Sequence, residues 1–115
     1  VLPEMETICR MGEYRMYHLD GFRALVHLPM MLELKELQGI QFTPGAGQTL
    51  AEALPVYKQI QRAGKVQWIC CELDEVEVIL LELDPRGLLI YTWAPDAEAA
   101  EDLLRKAVTW SCRRR

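Results

Sequence analysis

The feature that most limits what this chain can become is a repeated order of elements. A short run rich in β-formers is followed by a turn, then by a stretch with helical apolar spacing. The cycle occurs four times, at intervals of roughly 22 to 27 residues. The strand candidates are Tyr14–Leu19, Gly39–Thr43, Val66–Glu72 and Leu88–Trp93. Strands separated by helices are joined by crossovers rather than hairpins, and crossovers make neighbouring strands parallel. The chain is therefore expected to be an α/β protein built on one parallel sheet.

Local signals place the helices. The first is expected over Arg23–Leu34, with Leu25, Leu28 and Leu32 on one side. The second covers Leu50–Arg62, where Leu50, Leu54, Tyr57 and Ile60 recur, and Gly64 ends it. Pro55 lies inside that pattern, so this helix either kinks or starts later. The third begins at Asp74, with Glu77 completing a capping box, and turns Val76, Ile79, Leu80 and Leu83 inward. The last starts from Asp96 as N-cap and carries Ala100, Leu103, Leu104, Ala107 and Val108 inward. The fourth strand, an apolar run, is expected to be buried on both faces. Residues 1–13 are a linker or the tail of a preceding helix, and 14–115 form the βαβαβαβα domain. The chain begins with valine rather than methionine, which points to a fragment or a processed product.

Four βα units make either a small open sheet or half of a (β/α)8 barrel, which needs about 250 residues when whole. An open nucleotide-binding sheet would carry a phosphate-binding glycine fingerprint. Gly45-Ala46-Gly47 lacks the third glycine and has the look of a strand-to-helix loop. A half barrel has two bare edges, and bare edges attract further strands. A homodimer or a complementary half barrel is the expected partner, because two identical halves close a two-fold ring.

The bulk numbers exclude several classes. A net charge of −4 and a single basic run, Arg113-Arg114-Arg115, give no footprint for nucleic acid. Cations at the end of a helix explain that run. No apolar stretch approaches the roughly 18 residues of a membrane span. The four cysteines, Cys9, Cys70, Cys71 and Cys112, show no CxxC spacing. They are expected to be free thiols in a reducing cytoplasm.

Two segments carry a family resemblance. Tyr17-His18-Leu19-Asp20-Gly21, together with Gly39-Ile40-Gln41-Phe42-Thr43-Pro44-Gly45-Ala46-Gly47-Gln48, resembles the C-terminal part of uroporphyrinogen decarboxylase-like proteins. That superfamily includes the decarboxylases and the corrinoid-linked methyltransferases. Gly87–Asp96 looks like its last strand and helix entry, so the resemblance runs from about residue 14 to residue 110. It implies half of a TIM barrel, and a tetrapyrrole or a methyl-corrinoid as ligand. The departures bear on activity. The N-terminal half of the family's barrel, with its arginine-rich segment, has no counterpart here. Thr92-Trp93-Ala94 stands where decarboxylases carry a His-Gly pair. His18-x-Asp20 matches only the histidine of the methyltransferases' zinc motif, and the later cysteine has no counterpart near Trp93. The resemblance therefore implies a barrel fragment that is non-catalytic or incomplete by itself, or else one part of a decarboxylase or corrinoid methyltransferase.

In a barrel, function gathers at the C-terminal ends of the strands. That rule selects His18 and Asp20 as the polar centre, with Gln41, Thr43, Glu72, Tyr91 and Trp93 as substrate contacts. Strand alternation sets His18 and Asp20 on one face. They suit proton transfer, ligand binding or a metal; alternatively, Asp20 caps the next helix while His18 packs in a polar core. Cys70 joins them if it faces the same side. Tyr91 and Trp93 either stack on a flat substrate or fill space. The residues specify no cofactor and no metal site.

Overall fold

The computed structural model describes residues 2–112. The element order is α1 (Leu2–Cys9), β1 (Met16–Asp20), a 3₁₀ segment (Phe22–His27), α2 (Leu28–Glu33), β2 (Gly39–Thr43), α3 (Leu50–Arg62), β3 (Val66–Cys70), a 3₁₀ turn (Leu73–Glu75), α4 (Val76–Glu82), β4 (Leu88–Tyr91) and α5 (Ala97–Cys112). The four strands form one sheet in the order β1-β2-β3-β4, and every pair is parallel. The basic run at residues 113–115 lies outside the described residues.

Residue alternation gives the sheet two unlike faces. Leu19, Ile40, Phe42 and Ile69 point to one side and are buried. They join one apolar core with Leu28 and Met31 of α2, Val56, Tyr57 and Ile60 of α3, and Ile79 and Leu83 at α4. Each such side chain contributes roughly 1.5–3 kcal/mol on full burial. The helices thus share one face, and the opposite face carries Met16, His18, Gln41, Trp68, Cys70, Leu89 and Tyr91. Sequential strand order with helices on a single face is the arrangement of half a (β/α)8 barrel. A doubly wound sheet would reverse its strand order and cover both faces.

Several expectations require correction. Pro29 splits the helix expected over Arg23–Leu34. It sits in the first turn of α2, where its missing N–H costs nothing, and the preceding turn tightens to 3₁₀. α3 starts at Leu50 rather than later, and Pro55 lies within it on an exposed position. The carbonyl that Pro55 cannot serve belongs to Ala51, which is exposed and open to water. The box expected at Asp74 and Glu77 forms two residues earlier, where the Glu75 carboxylate accepts the Glu72 N–H at 2.9 Å. β3 and β4 end together, at Cys70 and Tyr91, because their ladder ends there. β4 is not buried on both faces: Leu89 is 56% and Tyr91 46% exposed. On α5, Leu104 and Val108 point outward, 67% and 66% exposed. Asp96 does cap that helix, accepting the Ala99 N–H at 2.8 Å.

α3 has the fullest cap. Thr49 Oγ accepts the Glu52 N–H at 3.3 Å, and the Glu52 carboxylate accepts the Thr49 N–H at 2.8 Å. The Thr49 N–H and, at 2.9 Å, the Thr49 hydroxyl both donate to the Glu52 carboxylate and hold it below its usual range. Thr49→Ala is expected to lower folding stability by about 1 kcal/mol, read as a shift in the urea midpoint at constant slope. Among the described residues no helix is long and apolar enough to cross a membrane.

Candidate functional site

The C-terminal strand ends open on a cleft of about 470 Å³. Its floor is the sheet end, with Thr43 of β2, Cys70 of β3 and Tyr91 of β4. One wall is the loop from Pro44 to Thr49, and the other is Glu72 and Glu75 of the turn before α4. The loop folds back on two glycines in the left-handed region, Gly45 (φ 97°) and Gly47 (φ 80°), which other residues enter at a cost. Thr49 then starts α3, so the loop is pinned at both ends, by strand and by cap.

Tyr91 and Trp93 rise from the end of β4 as an edge-to-face pair, with centroids 5.8 Å apart and an interplanar angle of 85°. Trp93 is 77% exposed. An exposed indole at a cleft mouth presents a flat apolar surface with a single N–H donor. Below the mouth, the Tyr57 hydroxyl donates to the Phe42 carbonyl at 3.5 Å. Burial, reinforced by the nearby thiols and Glu75, pushes the Tyr57 phenol well above its ordinary range, so it stays protonated. The cleft lining includes Glu72 and Glu75 but no lysine, arginine or histidine. No cationic side chain in that lining offsets the two carboxylates for an anionic ligand.

A second group of polar side chains crosses the bare face. His18 on β1 stands in register with Gln41 on β2, and their side chains meet, His18 Nδ1 to Gln41 Oε1 at 3.0 Å. Gln41 Nε2 reaches on to Cys70 Sγ of β3 at 3.7 Å. Cys70 faces the same side as His18, and it also lines the cleft. It is thus the link between the two groups.

Of the residues chosen from the sequence, Thr43, Glu72, Tyr91 and Trp93 share the cleft. His18 and Gln41 sit beside it on the bare face. Asp20 shares that face and pairs in register with Thr43, but it is not part of the cleft lining. Asp20 does not cap the next element: Gly21 occupies that position, and no side chain caps it. His18 is exposed, so it is not a core histidine. Among the described residues no three histidine, cysteine, aspartate or glutamate side chains are placed to hold a metal ion. Sequence reasoning missed the Pro44–Thr49 wall and Tyr57. The turn chemistry of Pro44-Gly45-Ala46-Gly47 marked the loop, but its lean over the cleft depends on where α3 packs.

Comparison with protein-family models, with curated proteins and with solved structures finds no match for this chain.

Proposed function

We propose that this chain is half of a uroporphyrinogen decarboxylase-like barrel, incomplete as a catalyst by itself, that acts only when a second half closes its ring. The observation that carries this reading is the bare sheet face between two unpaired edges. Met16, Val66 and Leu89 lie on that face as exposed apolar side chains, and the buried Trp68 indole N–H has no acceptor among the described residues. Leu104 and Val108 of α5 extend the apolar surface beside β4, and the exposed Tyr17 does the same beside β1. Exposed apolar side chains gathered beside two open sheet edges support an interface there. A second copy in two-fold symmetry sets β4 against the partner's β1 at both seams and removes every edge. Light scattering on the isolated chain is expected to give the mass of a dimer, and Leu89→Asp is expected to shift it toward monomer. A monodisperse monomer at micromolar concentration would refute closure by a second copy.

The four free thiols suit a cytoplasmic setting. The acidic cleft is the physical reason for calling the half incomplete. The carboxylates of a uroporphyrinogen would meet Glu72 and Glu75 and no cation, so the cations must come from the other half.

The exposed Tyr91–Trp93 pair favours a second reading, in which the cleft takes a flat ligand of the tetrapyrrole or corrinoid class. A corrinoid whose side chains are amides avoids the carboxylate repulsion. Cobalamin is therefore expected to quench tryptophan fluorescence saturably, and Trp93→Ala is expected to weaken binding about 5- to 150-fold, since stacking of this kind is worth about 1–3 kcal/mol. Linear, unsaturable quenching would dismiss this reading.

A further inference from the structure

The bare face holds a hydrogen-bonded row that crosses three strands, and its chemistry fixes more than position. Gln41 stands between His18 and Cys70. Its amide nitrogen faces the Cys70 sulfur at 3.7 Å, and its amide oxygen faces His18 Nδ1 at 3.0 Å. A carbonyl oxygen has no proton to give. The proton in the short contact therefore belongs to Nδ1. A neutral imidazole carries a single N–H, so Nε2 is left bare with its lone pair available.

From this we infer that Gln41 is a positioning residue that holds neutral His18 in its Nδ1–H form, leaving Nε2 as the free base or ligand-accepting atom of the open face. The inference rests on the reading of that face as the site, because it assigns which histidine atom does the work there. It is also specific. Free histidine prefers the opposite form, with the proton on Nε2, so an unsupported His18 would present a donor there instead of an acceptor.

The sequence alone could not connect these residues. His18 and Gln41 are 23 positions apart and Cys70 lies 29 further on. They meet because parallel register places β1 and β2 residue for residue, His18 against Gln41 and Asp20 against Thr43. Gly39 helps to hold the register. A Cβ there would come within 2.8 Å of both the Met16 and Val66 side chains, so the three strands approach closely below the row. The backbone thus fixes the spacing and leaves only the amide's orientation to be chosen. In the orientation seen, the amide N–H faces the Cys70 sulfur and the oxygen faces His18.

The test needs no ligand, so its outcome is separate from that of the cobalamin titration. Heteronuclear NMR of the ring nitrogens distinguishes a protonated nitrogen from a bare one. His27, exposed in the 3₁₀ segment, is removed as His27→Asn so that a single histidine is observed. At about pH 9, well above the ordinary imidazole pKa of about 6.5, the protein is expected to show the Nδ1–H form as the major species. Gln41→Leu, similar in size but without the acceptor, is expected to lose it, with Nε2–H becoming the major form. Gln41→Glu restores an acceptor oxygen and is expected to restore Nδ1–H. A major Nε2–H signal in the protein with Gln41 intact would mean that the amide is reversed, and it overturns the inference. So does a Gln41→Leu spectrum that keeps Nδ1–H. The first of these readings requires no substitution near His18, so a poorly folded variant cannot shield the proposal.

Discussion

Phe42→Ala is expected to cost about 3–5 kcal/mol of folding stability. Phe42 lies at the centre of the helix-covered face, 2% exposed. Its ring meets Phe22 at 5.5 Å and Tyr57 at 5.8 Å, both edge-to-face. Removing it takes away the burial of one aromatic side chain and two oriented ring contacts, and it leaves a cavity that β-strand backbone cannot close. A small domain has about 5–15 kcal/mol in all, so the variant should unfold at a much lower urea concentration or fail to fold at ambient temperature. Gln41→Ala, one residue away on the bare face, removes two exposed side-chain hydrogen bonds, to His18 and Cys70, and is expected to cost about 1 kcal/mol. Comparing the two urea midpoints tests the two-faced sheet directly. Equal losses would mean that Gln41 is packed as deeply as Phe42, and the half-barrel arrangement would not survive that result.

The second large effect concerns two adjacent thiols. Cys70 lies on the bare face and is exposed, whereas Cys71 turns toward the helices. Burial first, and then the negative groups around it (Glu75, Cys70, Glu72 and Asp74), push the Cys71 thiol from an ordinary 9.0 up to about 12. Three pH units correspond to about a thousandfold less thiolate near pH 8, and the thiolate is the reactive form. In the native protein at that pH, iodoacetamide is expected to modify Cys70 and to leave Cys71 essentially untouched, as read by peptide mass spectrometry. Equal labelling of the pair would contradict the burial of Cys71. The same shift has a stability consequence with a definite sign. The folded state holds the Cys71 proton more tightly than the unfolded chain does. Its contribution is therefore complete below pH 9 and is lost as pH rises from 9 toward 12. Tyr57 shifts in the same direction, again chiefly through burial, so the two add. The urea midpoint should fall steadily on the alkaline side of pH 9, and less steeply in Cys71→Ala.

Much of the fold is legible in the amino-acid order because its causes are local. β2 and α3 have the bounds read from the sequence, Gly39–Thr43 and Leu50–Arg62. Glycine, proline and threonine at their ends leave the backbone few options. The inward face of α4 follows from spacing alone, and Val76, Ile79 and Leu80 are buried as expected. α2 departs from its expected bounds for a cause that is also local: the apolar period runs through Arg23–Leu34, but the missing N–H of Pro29 resets the helix start at Leu28.

The errors on β4 and α5 have another origin. An apolar strand looks the same whether or not a neighbour lies beyond it. Leu89, Leu104 and Val108 are exposed because nothing among the described residues covers the β4 edge or the bare face. That is a property of the assembled sheet, which no single segment records.

The site divides in the same way. Alternation along β1 is local, and it placed His18 and Asp20 on one face. The partner of His18 is not local, because it depends on which residue of β2 the parallel ladder brings opposite, and on Cys70 arriving from β3. The sequence by itself determined that four βα units would form, where β2, β3 and β4 would begin (β1 starts at Met16 rather than Tyr14), and which strand ends would carry polar and aromatic side chains. Only the tertiary structure decided that the helices share one face and leave the other bare, since that requires the packing of every helix on the same side. It also decided that Gln41 would hold His18, since hydrogen bonds across strands are set by register and distance, which the chain acquires only when it folds.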